Sequence, residues 1–131
     1  MAEPKKILVV DDDEDFVEST RDLLEAYGYE VRTAYDGMSG FETAKREHPD
    51  LMILDVMMAH ATEGFEIARK IQEVPELQRM KVLLVSGVTK VMRLSFTLEP
   101  DSDWLPVDRV FEKPIDPERF IAEIEKVLNE K

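Results

Sequence analysis

The stretch ILVVDDDEDF, residues 7–16, joins four apolar side chains directly to five acids with no turn residue between them. A run that is apolar throughout, rather than at every second position, is the pattern of a strand covered on both faces. Carboxylates are among the side chains least often buried unless they are paired or hold a metal, and like charges at a strand end repel. Something positive is therefore expected at the end of this strand.

Outward from that stretch the same strand-then-helix unit recurs. Glu14 to Tyr27 places Phe16, Thr20, Leu23, Leu24 and Tyr27 on one helical face, with Gly28 positioned to end the helix. Tyr29 to Ala34 reads as a second strand, and Asp36 can cap a helix carrying Met38, Phe41 and Ala44 until Pro49 stops it. Leu51 to Leu54 is a third apolar run ending at Asp55. Phe65, Ala68 and Ile71 then mark a helix that Pro75 ends.

Val82 to Val85 is the fourth run, closed by Ser86 and Gly87, and Val91, Leu94 and Leu98 suggest a fourth helix. Residues 99–106, with two prolines and two aspartates, read as loop. Val107 to Phe111 gives a fifth strand. Pro117 opens a closing helix with Phe120, Ile121, Ile124, Val127 and Leu128 on one face. Five such units predict an α/β fold, a parallel sheet with helices on both faces.

The chain of 131 residues is expected to form one domain, 1–131, with one core and no output domain. Its 17 Lys and Arg against 29 Asp and Glu give a net charge of -12, which opposes direct contact with nucleic acid or an anionic membrane surface. With no cysteine, neither disulfides nor a thiolate zinc site is available. The apolar run after Lys6 is too short for a signal-peptide core or a membrane span, so a cytoplasmic location is expected.

In an open α/β sheet, ligands bind beyond the carboxyl ends of the strands. The predicted strands deliver Asp11 and Asp12, Asp55, Ser86, and Lys113 followed by Pro114 to that edge. Each acid alone is more often a helix cap than a ligand, but their shared location follows from the strand boundaries. Three carboxylates suit an oxygen-preferring divalent cation such as Mg2+, which takes one or two of them and keeps waters and phosphate oxygens. Beside it, Asp55 could act as the nucleophile toward a phosphoryl group, with Lys113 and the Ser86 hydroxyl supplying electrostatic positioning.

The acid pair in VVDDD, the acceptor in LMILDVMM, the hydroxyl residue in LLVSG and the lysine in FEKP together resemble the receiver (CheY-like) domains of two-component response regulators, over nearly the whole chain. The resemblance implies a flavodoxin-like (βα)5 fold with strand order 2-1-3-4-5. It implies Mg2+ held by Asp11 and Asp12, with Asp12 favoured as the direct ligand, by Asp55, and by the backbone carbonyl of Met57. Asp55 would be phosphorylated by a sensor histidine kinase, Ser86 would bond one phosphoryl oxygen and Lys113 would pair with another. The partners implied are that kinase and a downstream target or phosphotransfer protein. A homodimer through the face of helix four, strand five and helix five is also implied.

The sequence departs from the family pattern in three places. Ala59 stands where a proline is usual, in the loop MMAHATEG, which is one residue longer than usual. The segment between Ser86 and Lys113 is extended, around PDSDWLPVD. Val110 occupies the position, three before Lys113, that normally carries a rotating aromatic ring; Phe111 beside it should face the other side of its strand. Trp104 and Phe96 are candidate substitutes, and Trp104 is either a partner-docking anchor or a cover for the core.

Asp13, Glu14 and Asp15 are expected to complement the first helix dipole rather than bind metal. His60 is read as a solvated loop residue, His48 as a helix-end cap, and Met57 and Met58 side chains as packing. The leading functional reading is a phosphorylation-controlled switch that catalyses only its own phosphorylation and dephosphorylation. The alternative is a phosphorylation-independent binding module of the same fold. A phosphatase of the haloacid dehalogenase type is weakened by Met57, where such enzymes carry a second aspartate, and a flavin module by the repulsion of Asp11, Asp12 and Asp13.

Overall fold

Strand β1 (Lys6–Val10) leads through Asp11 and Asp12 into helix α1 (Glu14–Ala26), the transition anticipated from the opening stretch. In this computed structural model the described residues are 4–55, 63–87, 107–113 and 115–130, with the backbone alone for residues 63–65, 86, 87, 112 and 113. β2 (Glu30–Ala34), α2 (Gly37–Glu47), β3 (Leu51–Asp55), α3 (Glu63–Gln72), a 3-10 turn (Pro75–Leu77), β4 (Lys81–Gly87), β5 (Arg109–Lys113) and a closing helix (Pro117–Leu128) follow. The expected fourth helix, Phe96 and Trp104 lie outside the described residues.

All four strand pairings are parallel, and the order is β2-β1-β3-β4-β5, as the family resemblance implied. Alternation along each strand divides the core in two. Leu8, Val10, Met52, Leu54, Val82 and Leu84 pack under α2 and α3 with Ala44, Ile67 and Ile71. Ile7, Val9, Leu51, Ile53, Leu83 and Val85 pack under α1 and the closing helix with Val17, Leu24, Phe120 and Ile124. Both faces of the central strands are thus spent on burial, which is why β1 and β3 read as unbroken apolar runs.

The same division separates Val110 from Phe111. Val110 packs on the α2 and α3 side, while Phe111 meets the closing helix, its ring 5.4 Å from that of Phe120 at an interplanar angle of 87°. This edge-to-face geometry is the favoured one for an aromatic pair.

Two aspartates start the strands that follow them. The Asp50 carboxylate accepts the Lys6 N–H at 2.8 Å and its own N–H donates to the Lys6 carbonyl at 2.8 Å, clipping β3 to β1. Asp108 makes the same pair of bonds with Val82, both at 2.8 Å, clipping β5 to β4. β5 therefore begins at Arg109, two residues later than the expected Val107, because a side chain occupies the first ladder position.

Two side chains read as helix-face residues are instead exposed. Tyr27 lies one step past the end of α1, where the chain has left the helical path, and Met38 sits on the outer side of the first turn of α2. The inward positions of α2 belong to Gly37, Gly40 and Ala44. A Cβ on Gly40 would come within 2.7 Å of Val10 Cγ2, so the missing side chain is what lets α2 lie against β1. Asp36 caps α2 as expected, accepting the Ser39 N–H at 2.8 Å, and His48 closes it in the left-handed region at φ 50°.

Candidate metal centre

The sheet order makes β1 and β3 neighbours although a whole strand and two helices separate them in sequence, and β2 lies on the far side of β1. This is the reversal at which open α/β sheets bind ligands. Val10 stands opposite Leu54 in the β1–β3 register, so the next residues, Asp11 just past β1 and Asp55 at the end of β3, stand at one level. Asp55 is opposite Val85, one residue before Ser86, and Lys113 is opposite Gly87. The backbones of all four residues thus reach the same carboxyl edge.

Asp11 and Asp55 are each 1% exposed, whereas Asp12 is exposed. One carboxylate oxygen from each of Asp11, Asp12 and Asp55 falls within 4.8 Å of the others. Two buried anions this close, joined by a third, are costly without a compensating cation. Carboxylates are hard donors, and a small number of them is what Mg2+ accepts while it keeps water and phosphate oxygens. The donor set therefore fits Mg2+.

The loop that carries the pair is held in place locally. Asp11 donates its N–H to the Ala34 carbonyl at 3.2 Å, and its Oδ1 accepts the Asp13 N–H at 2.9 Å. Asp13 in turn caps α1, its carboxylate accepting from Phe16 N at 3.2 Å and its carbonyl from Val17 N at 3.0 Å. Glu14 and Asp15 occupy the first turn, where acids complement the helix dipole. All three acids sit at the start of α1 as expected, but the hydrogen bond from Asp13 back to Asp11 is not legible in the sequence; three consecutive acids ahead of a helix are the signal that could point to it.

Of the residues expected at the site, Asp11, Asp12 and Asp55 are brought together. Ser86 and Lys113 are placed by their backbones. Met57, Ala59 and His60 lie outside the described residues.

Residues 7–125 match the response regulator receiver domain family. The chain belongs to that family. It is 27% identical over 129 residues to the polar-differentiation response regulator DivK of Brucella ovis, an alignment covering 96% of this chain and 98% of that protein. Among solved structures it is similar to a CheY-like receiver domain protein from Methanospirillum hungatei, with TM-score 0.75 and 27% identity over 96% of this chain and 94% of that one. A response regulator from Chloroflexus aurantiacus shares the fold with TM-score 0.80 at 21% identity, covering 97% of this chain and 99% of that one.

As a receiver domain the chain has a signalling role exercised through other proteins, and its family and acid cluster support its own phosphorylation and dephosphorylation. Histidine kinases and downstream effectors are the partner classes its family implies. The acid triad matches the Mg2+-binding arrangement of receiver domains. Among the described residues no helix is long and apolar enough to cross a membrane.

Proposed function

We propose that this receiver domain takes a phosphoryl group from a sensor histidine kinase onto Asp55 and passes the signal on by protein contact. The observation that carries the reading is the burial of Asp55 at the end of the central strand β3, with an oxygen within 4.8 Å of oxygens from Asp11 and Asp12. One Asp55 oxygen forms the new bond to phosphorus as the bond from phosphorus to the donor histidine nitrogen breaks. The pair departs with that nitrogen, leaving an acyl phosphate on Asp55.

Asp11 and Asp12 would hold Mg2+ together with Asp55 and the Met57 carbonyl. The chemistry the ion supplies is neutralisation of charge on the transferring phosphoryl oxygens. Ser86, from β4, bonds one of those oxygens, and Lys113, from β5, pairs with another, each entering from the edge to which the parallel register brings its backbone. The whole span 1–131 acts as one receiver domain.

A second reading, a binding module that works without phosphorylation, is favoured by Val110, which packs against the core where the family usually carries a ring that changes rotamer. One experiment separates the two. The parent and Asp55→Asn are incubated with a small phosphodonor and Mg2+, and the intact mass is measured. Phosphoryl gain in the parent alone supports the switch, and gain in neither supports the binding module. Steady donor turnover would instead indicate a phosphatase.

A further inference from the structure

The residue after the acid pair is fixed from both sides. Asp13 donates its N–H to Asp11 Oδ1 at 2.9 Å, its carboxylate accepts the Phe16 N–H at 3.2 Å, and its carbonyl accepts the Val17 N–H at 3.0 Å. The first bond reaches into the metal centre and the other two belong to the first turn of α1. Asp11 is buried and its Oδ1 accepts the Asp13 N–H, and a hydrogen bond from a backbone N–H to a carboxylate is among the strong ones. The Asp13 side chain is exposed and bonds to the helix start, which holds the Asp13 N–H toward Asp11.

We propose that Asp13 is a positioning residue for the metal centre: by capping α1 it aims its backbone N–H at Asp11 and so orders that carboxylate for Mg2+. The proposal rests on the reading of Asp11, Asp12 and Asp55 as a Mg2+ site. Loss of an outer residue that orients a ligand commonly costs about 10- to 100-fold in metal affinity. Asp13 has no ligand role in this account, and its charge contributes only a diffuse attraction that any neutral replacement removes equally.

That equality makes the role testable. Asp13→Asn and Asp13→Ala both remove one negative charge, but Asn keeps an oxygen that can cap α1 and Ala does not. Mg2+ affinity is measured by titration calorimetry for the parent and both variants, with melting temperature recorded in the absence of metal. The expected result is that Ala binds Mg2+ on the order of three- to tenfold more weakly than Asn. Equal affinities of Ala and Asn, with only the melting temperature lowered in Ala, would overturn the proposal and leave Asp13 a helix cap. If Ala fails to fold, Asp13→Gly serves as the uncapped variant with the same expected order and the same overturning result. A parent that takes up no Mg2+ would overturn the metal reading and this proposal with it.

Discussion

Val10 stands opposite Leu54 in the parallel β1–β3 register, and the residues that follow them are Asp11 and Asp55. The two buried acids meet because two apolar strands run side by side and each delivers its acid at the same level, Asp11 just past β1 and Asp55 as the last residue of β3. The site is therefore a product of sheet register. A one-residue slip of β1 against β3 would set Asp11 one residue out of line with Asp55, so the register itself sets the meeting.

Three carboxylates with oxygens within 4.8 Å are expected to make the domain more stable when Mg2+ is bound. At a Mg2+ concentration of about 100 times Kd, binding adds roughly 2.7 kcal/mol. The melting temperature of the parent should rise with Mg2+ and that of Asp12→Asn should rise much less. An equal rise in both would remove Asp12 from the ligand set.

Gly40 and Val10 form a contact that a methyl group would break. Helix propensity favours Gly40→Ala by about 1 kcal/mol, but a Cβ within 2.7 Å of Val10 Cγ2, a fully buried and β-branched side chain, imposes overpacking of about 1–3 kcal/mol. A net loss of stability is expected for Gly40→Ala. In a double-mutant cycle with Val10→Ala the two effects should be less than additive, because each relieves the other. Strict additivity in denaturant unfolding would contradict the contact.

Gln78 closes α3 from outside the helix, its Nε2 donating to the carbonyls of Gln72 at 2.9 Å, Val74 at 3.0 Å and Ile71 at 3.3 Å. An amide nitrogen has two hydrogens, so these three contacts are shared, and the Ile71 and Val74 carbonyls also accept backbone N–H groups, from Val74 at 3.2 Å and from Leu77 at 3.0 Å. Gln78→Ala is expected to cost about 1 kcal/mol in chemical unfolding, and Gln78→Glu at least as much, since a carboxylate cannot donate.

At the opposite edge of the sheet, Glu47 accepts from Lys6 Nζ at 3.4 Å and Arg32 Nε at 3.0 Å. Burial alone would raise its carboxyl, but the hydrogen bonds and charges of Lys6 and Arg32 outweigh it and hold the group below its ordinary value of 4.5. A lowered acid contributes stability that is present above its unfolded value and is lost as pH falls through the folded one. Thermal melts of Glu47→Gln should accordingly lose less stability than the parent between about pH 6 and about pH 3. Parallel curves for the two proteins would contradict this.

Much of this architecture can be read from residues. Ile7 to Val10 and Leu51 to Leu54 are legible because strands buried on both faces have no polar interruption, and Asp36 and Pro117 mark helix starts by their local chemistry. The strand order is not legible from periodicity, because it depends on contacts between distant segments; it entered through the family resemblance. The start of β5 is not legible because Asp108 looks like loop until its bonds to Val82 are seen, and the outward place of Met38 is not legible because Gly40, not a large apolar residue, faces β1. At the site, the acids announced themselves by excess charge after apolar runs, whereas Asp13's bond to Asp11 depends on backbone direction that residue types do not encode.

The central claim is that Asp55 is the phosphoryl acceptor of a Mg2+-dependent centre. It is tested most directly by treating the parent with a small phosphodonor, with Mg2+ or with a chelator, and locating the phosphoryl group by peptide fragment mapping. The account predicts label on Asp55 alone and only when Mg2+ is present. Label on another residue, or on Asp55 equally in the presence of chelator, would contradict it.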